Sequence, residues 1–309
     1  LLSLESNKGD VFFSNSGAES IEAALKIARN FGSGKGKDEI IAMTSSFHGR
    51  TIGALSVGSN KAYKTNIGPV PGKVKFCKFN DSKNLKQLIN KKTLAIIIEF
   101  IQGDGGINIC SRDFAKTIKD ICKKRKILLI ADEIQGGIGR TGKVFAYKHY
   151  GVSPDIITSA KGLGSGIPIG ATIVKKKIAK NISIGFHGST FGGGMLQTRV
   201  AFNVLKTINK VGFLNNVKSK GLLLEKLLKK LNADNEVIKE VRIKGLMAGV
   251  EFKNDKTALK IYKETSKNGL VTTLVKGNII RITPPLIIQA EELKKGVKII
   301  SDCLNTIKI

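Results

Sequence analysis

Residues 127–135 read Ile127-Leu128-Leu129-Ile130-Ala131-Asp132-Glu133-Ile134-Gln135. A continuous apolar run of strand length ends here in two acids, and just before it Phe114, Ile118, Ile121 and Cys122 repeat at helical spacing. Working outward, β-branched runs of similar length recur at residues 11–14, 40–44, 74–77, 94–100, 155–159 and 169–174. Ile21, Ala24, Leu25 and Ala28 form a second helical stripe between the first two. Strands alternating with helices predict βαβ units and an α/β fold with a mostly parallel sheet. After a long helical pattern through Leu196, Val200, Ala201, Val204, Leu205 and Ile208 the order changes. A Lys/Leu-rich helix near 220–231, strands near 241–252 and 279–283, and a closing helix from Glu291 follow. The reading is a large α/β domain over 1–205 and a smaller C-terminal α+β domain over 206–309, with no internal repeat and no low-complexity linker. In open α/β sheets ligands sit at the carboxyl ends of the strands, so the residues just after each strand are the ones to read for chemistry.

Composition narrows the function classes. With 309 residues and 41% hydrophobic content the chain has ample material for a core. Among its longest apolar runs, residues 94–101 contain Glu99 and fall far short of the roughly 18 residues a membrane span needs. Cys77, Cys110, Cys122 and Cys303 lie far apart, and with only 3 histidines neither a disulfide framework nor a metal site is expected. A reducing, cytoplasmic setting is the natural reading. The chain opens on Leu1 and enters a strand-like run almost at once, which reads as a piece of a longer or processed chain. The net charge of +28 would suit a nucleic-acid or anionic-membrane partner. Yet the excess is spread over both predicted domains and is carried by 44 lysines against 8 arginines. Arginine and aromatics are what nucleic-acid readout favours, so compositional drift explains the charge better than a nucleic-acid footprint.

Four segments at strand ends could carry chemistry. Asn15-Ser16-Gly17-Ala18-Glu19 opens an amphipathic helix. Its free N–H groups could bind a phosphate, and Ser16 to Glu19 equally has the S-x-x-E spacing of a capping box. Phe47-His48-Gly49-Arg50-Thr51 offers an aromatic to stack on a ring and a guanidinium to grip a carboxylate. Asp132 could be a Walker-B acid, or a carboxylate that keeps a cofactor's ring nitrogen protonated. The Walker reading fails, because in the stretch from Gly137 to Lys143 that resembles a Walker A, Val144 stands where Ser or Thr must hold magnesium. Finally Lys161 ends the strand-like run 155–159, where a partly desolvated amine can form a Schiff base. The glycines that follow, 162 to 166, do not fit a dinucleotide fingerprint.

Taken in order, the stretches FSNSGAESIEAALKIAR, FHGRT, DEIQGGIGRTG, PDIITSAKGLG, HGSTFGG and GNIIRITPPL resemble the class-III aminotransferases. The resemblance spans residues 13 to 286 and implies the type I fold of enzymes that use pyridoxal 5′-phosphate (PLP). It implies that Ser16, Gly17 and Ala18 hold the cofactor phosphate, that Phe47 lies on the pyridine ring and that Asp132 pairs with the pyridinium nitrogen. Gln135 would contact the ring oxygen, and Lys161 would carry the cofactor and shuttle the proton. Arg50 would bind the substrate carboxylate. Ser189 and Thr190 resemble a pair that reaches across a homodimer interface, Ser189 to substrate and Thr190 to the neighbour's cofactor phosphate. Arg281 resembles the arginine that binds the glutamate or 2-oxoglutarate carboxylate, paired at rest with an acid in the segment here reading Glu99-Phe100-Ile101-Gln102-Gly103-Asp104-Gly105-Gly106.

The family usually has proline at position 100, glutamate at 104 and F-G-G-N-P where this chain has Phe191-Gly192-Gly193-Gly194-Met195. It also carries several tens of residues ahead of the first motif. Within the family, His48, the spacing from Asn278 to Arg281 and the segment from Lys244 to Met247 look most like the branch that moves an amino group between N-acetylornithine and 2-oxoglutarate in arginine biosynthesis. The ornithine and 4-aminobutyrate branches share nearly all the motifs. Outside this reading stand a truncated, inactive relative and a basic nucleic-acid-binding protein.

Overall fold

A computed structural model describes residues 1–6 and 8–306. The chain divides into two compact units. The first comprises Leu1–Phe100, Cys110–Ile138 and Val144–Lys210, and the second Ile101–Ile109, Gly139–Lys143 and Val211–Ile309. Two short mid-chain segments thus belong with the C-terminal part, which a linear division of the sequence at 205/206 does not anticipate.

The first unit is built on a seven-stranded sheet. Its strands are β1 (Asp10–Ser14), β2 (Glu39–Met43), β3 (Lys73–Cys77), β4 (Thr93–Ile98), β5 (Leu128–Asp132), β6 (Ile156–Ser159) and β7 (Gly170–Val174). The spatial order is β1-β7-β6-β5-β4-β2-β3. Strand β7 runs antiparallel to both its neighbours, and every other pairing is parallel. Every residue of β4 and β5 is buried, as expected of central strands covered on both faces.

Helix α1 (Gly17–Gly32) turns Ile21, Ala24, Leu25 and Ala28 onto Ile40, Ala42, Ala95, Ile97, Leu128 and Ile130 of the sheet. Each fully buried Ile or Leu in such a layer contributes about 1.5–3 kcal/mol. Helix α2 (Arg112–Arg125) starts at Ser111, whose Oγ accepts from Phe114 N at 3.1 Å, and ends on three basic residues before left-handed Lys126. Cap and charges both complement the helix dipole. Helix α3 (Met195–Ile208) closes the unit.

The second unit holds helices α4 (Phe213–Ala233), α5 (Asp255–Lys267) and α6 (Ala290–Thr306) with strands β8 (Ile238–Ile243), β9 (Ala248–Phe252), β10 (Thr273–Val275) and β11 (Ile279–Ile282). The strands form an antiparallel sheet in the order β8-β9-β11-β10. Leu224 and Leu228 of α4, Ile261 of α5 and Leu293 and Ile300 of α6 share one core with Val250, Phe252 and Ile280. No helix among the described residues is long and apolar enough to cross a membrane.

Candidate active site

The ends of β1, β2, β5 and β6 converge on one cavity of about 670 Å³ in the first unit. Ser16, Gly17, Ala18, Phe47, Arg50, Asp132, Gln135 and Lys161, all singled out from sequence, line it, together with His48, Glu99, Ile134 and Ile169. The carboxyl edge of the parallel strands thus gathers the motifs, as the topology rule requires.

At one end lies the start of α1. Ser16 Oγ accepts from Glu19 N at 3.2 Å, so the capping half of the S-x-x-E spacing forms. The reciprocal half is displaced by one residue, because the Glu19 carboxylate accepts from Asn15 N (2.8 Å) and Asn15 Nδ2 (3.0 Å). The first intrahelical bond runs from Ser20 N to Ser16 O, so the N–H groups of Gly17 and Ala18 lie ahead of the helical ladder, at the positive end of the dipole. Capping by Ser16 therefore leaves the N–H groups of Gly17 and Ala18 available to an anion. Gly49, at φ +137°, lets the next loop close on this turn; a Cβ there would sit 2.9 Å from Ala18 Cβ. A Cβ on Gly17 would crowd Ile134 at 3.0 Å, so the turn lies directly against a wall residue of the cavity.

At the other end is Asp132, 5% exposed at the tip of β5. Its Oδ1 accepts from Ile134 N at 3.0 Å and from Thr158 Oγ1 at 3.4 Å, and its Oδ2 pairs with His48 Nδ1 at 2.7 Å. Burial opposes a charge on His48, but the bond to Asp132, the Asp132 charge and the charge of Glu99 together raise the imidazole above its ordinary value. Glu99 anchors the same loop by accepting from Phe47 N at 3.0 Å. This pairing of His48 with Asp132 is the feature that sequence reasoning missed. The histidine stood in the FHGRT motif, but its contact runs between strand ends 84 residues apart.

The neighbouring acid Glu133 has a different task. Fully buried, its carboxylate accepts from Ala146 N (2.7 Å) and Tyr147 N (2.8 Å) and so caps the turn Ala146–His149. Burial pushes its carboxyl up to about 8, against the pull of those two N–H groups.

Lys161 opens a single 3-10 turn after β6 and takes a left-handed φ of +44°. That conformation costs an L-residue roughly 1–2 kcal/mol, so the surrounding structure holds it in place. Arg50 is exposed at the cavity edge, its guanidinium stacked 3.9 Å over the Tyr63 ring.

Three of the expected residues lie elsewhere. Ser189 and Thr190 are not on the wall of this cavity. Ser189 Oγ accepts from Asn15 Nδ2 (3.0 Å) and Gly192 N (3.1 Å), and Thr190 is exposed. Arg281 belongs to the second unit, where its Nη1 pairs with Asp104 Oδ1 at 2.5 Å. The shorter acid does reach its arginine, and in the same loop Gly106 O accepts from Arg242 Nε at 2.9 Å. At another departure from the family pattern, Phe100 is buried and stacks on Tyr150 with ring centroids 5.1 Å apart.

With this geometry in hand, similarity to known proteins is informative. The sequence profile of Aminotransferase class-III matches residues 1–304. The acetylornithine aminotransferase of Caldanaerobacter subterraneus is 41% identical over 311 aligned residues, covering 100% of this chain and 79% of the relative. The succinylornithine transaminase of Yersinia pseudotuberculosis is 41% identical over 299, covering 93% and 72%. Among solved structures, the ornithine aminotransferase of Toxoplasma gondii, with PLP at partial occupancy in its active site, superposes with a TM-score of 0.92. It is 30% identical, over 98% of this chain and 74% of that one. The chain belongs to the class-III aminotransferases and is a PLP-dependent enzyme.

The cavity suits that cofactor on its own chemistry. A helix N-terminus matches a phosphate, and Phe47 and Ile134 match an aromatic ring. A buried carboxylate already held on both oxygens matches a protonated ring nitrogen, and an amine matches an aldehyde.

Proposed function

We propose that this enzyme transfers the terminal amino group of N2-acetylornithine to 2-oxoglutarate, acting in the cytoplasm as a homodimer in arginine biosynthesis. The transaminase chemistry rests chiefly on one observation: Lys161, Asp132 and the start of α1 share a single cavity. The donor rests on similarity to relatives named for acetyl- and succinylornithine, at 41% identity each.

In this reading the N–H groups of Gly17 and Ala18, with Ser16 Oγ, hold the cofactor phosphate. Phe47 lies on the ring and Gln135 contacts its oxygen. PLP, when bound, supplies an electron sink for the bonding pair released at the substrate carbon. Asp132 stabilises the proton on the ring nitrogen, and His48, donating to Asp132 Oδ2, fixes that carboxylate in place. Lys161 Nζ would hold the cofactor and, once freed by the donor amine, would move the proton at the carbon bearing that amine. Arg50 binds the donor's carboxylate through paired N–H donors. Arg281 takes a carboxylate of the oxo acid, and Asp104 neutralises it between visits. Ser189 and Thr190, off the cavity wall in their own chain, serve the neighbour's site, Ser189 toward substrate and Thr190 at the phosphate.

Glutamate formation from 2-oxoglutarate, measured with N-acetylornithine, N-succinylornithine, ornithine and 4-aminobutyrate as donors, tests the assignment. The highest kcat/KM is expected for N-acetylornithine, and a tenfold preference for another donor would move the substrate while keeping the chemistry.

A further inference from the structure

The cavity edge holds one arrangement that the roles above leave unexplained. Tyr63 sits in the turn Lys61–Lys64, outside the strand-end motifs, and touches two residues of the segment 47–51. Its ring lies 3.9 Å from Arg50 Cζ, and its edge meets Phe47 at a centroid distance of 6.2 Å and an angle of 85°. The turn that carries it is fastened. Asn60 Oδ1 accepts from Ala62 N at 3.0 Å, Lys64 Nζ donates to Ser56 O at 3.3 Å, and the same ammonium lies 5.0 Å from the Phe76 ring centroid. Among the described residues the Arg50 guanidinium has no hydrogen bond or ion pair, so this ring is its main restraint.

We propose that Tyr63 is a positioning residue that sets the direction of Arg50 and thereby the preference for donors bearing a carboxylate. The inference rests on the reading of Arg50 as the carboxylate-binding residue. Stacking occupies the face of a guanidinium and leaves its N–H donors, which lie in the plane, available for a carboxylate fork. A long exposed arginine would otherwise sample many rotamers, and each binding event would have to immobilise it. Contact with Phe47 links that direction to the ring assigned to the cofactor, so one tyrosine aligns both ends of the segment.

Two measurements on Tyr63→Ala and Tyr63→Phe test this. The first is the rate at which phenylglyoxal modifies Arg50, followed by peptide mass in the cofactor-free protein, where turnover plays no part. Tyr63→Ala should accelerate it about two- to fivefold, the change that corresponds to the ~0.5–1 kcal/mol of an exposed cation–π contact, while Tyr63→Phe should match wild type. Equal rates for all three would overturn the proposal.

The second is the ratio of kcat/KM for N-acetylornithine to that for its carboxamide, with Arg50→Leu as reference. Tyr63→Ala should lower the ratio by a similar factor through KM, with kcat for N-acetylornithine kept. A fall in kcat for both donors alike would mean a merely structural tyrosine and would overturn it. If Arg50→Leu leaves the ratio unchanged, the reading of Arg50 fails and the specificity role of Tyr63 falls with it. If only Tyr63→Ala leaves it unchanged, Arg50 stands and the proposal alone fails.

Discussion

Replacing His48 with leucine removes the donor from a carboxylate that has almost no water to fall back on. Asp132 is 5% and His48 2% exposed, and their contact is 2.7 Å. Removing one member of a buried ion pair costs about 3–5 kcal/mol, because the remaining charge is left uncompensated. Here Ile134 N still serves the other oxygen, so the lower part of that range, about 3 kcal/mol, is expected. With a urea dependence of roughly 1–3 kcal/mol/M, the midpoint of the first unit should fall by about 1–3 M. Tyrosine fluorescence follows that transition, since Tyr63, Tyr147 and Tyr150 are three of the 4 tyrosines and the chain has no tryptophan.

The effect carries a pH signature. The folded-state value of His48 is raised, so its contribution is complete below the ordinary histidine value of about 6.5 and is lost as the pH climbs through the raised value. The gap between wild type and His48→Leu should therefore be widest at acid pH and shrink above neutrality. His48→Gln, which keeps an N–H donor, should recover part of the loss. A His48→Leu midpoint within about 0.3 M of wild type, or a gap that widens as pH rises, would refute the reasoning.

Other consequences can be checked one at a time. Asp132→Asn should keep PLP bound yet lose most of its turnover, seen as retained cofactor absorbance after gel filtration with glutamate formation down by about 100-fold or more. Asp104→Ala should free Arg281 from its intrachain competitor and lower the KM for 2-oxoglutarate severalfold, in line with about 1 kcal/mol for a partly buried pair. Glu133 favours its protonated form in the folded state, so its contribution is present below its ordinary value near 4.5 and is lost as the pH rises through about 8. Glu133→Gln should flatten the decline of the urea midpoint across that window. Ser16→Ala should cost about 0.5–2 kcal/mol through loss of the α1 cap and should also weaken PLP binding.

Much of this was legible in the sequence, and for physical reasons. Runs such as 94–98 and 128–131 are apolar on both faces because they are central parallel strands, and such runs cannot be hidden in a sequence. The stripe Ile21, Ala24, Leu25, Ala28 shows its period because one face of α1 meets the sheet. What escaped was either short or set by distant contacts. The second-unit helix Asp255–Lys267 is mostly polar, its buried face made of Thr257, Ala258, Ile261 and Thr265, too thin a stripe to stand out. Strand β10 has only three residues. The grouping of Ile101–Ile109 and Gly139–Lys143 with the C-terminal part depends on long-range packing that no local pattern encodes. In the site, Asp132 and Lys161 could be found because one ends a strand and the other follows one, whereas the partnership of His48 with Asp132 and the stacking of Arg50 on Tyr63 needed coordinates.

The central claim is that Lys161 is the residue that carries the cofactor, and one measurement addresses it directly. The purified chain is incubated with PLP, reduced with borohydride, digested and mapped by mass spectrometry. The account predicts a single stoichiometric pyridoxyl label on Lys161, absent from Lys161→Ala. A stoichiometric label on another of the 44 lysines, or normal glutamate formation by Lys161→Ala, would contradict it.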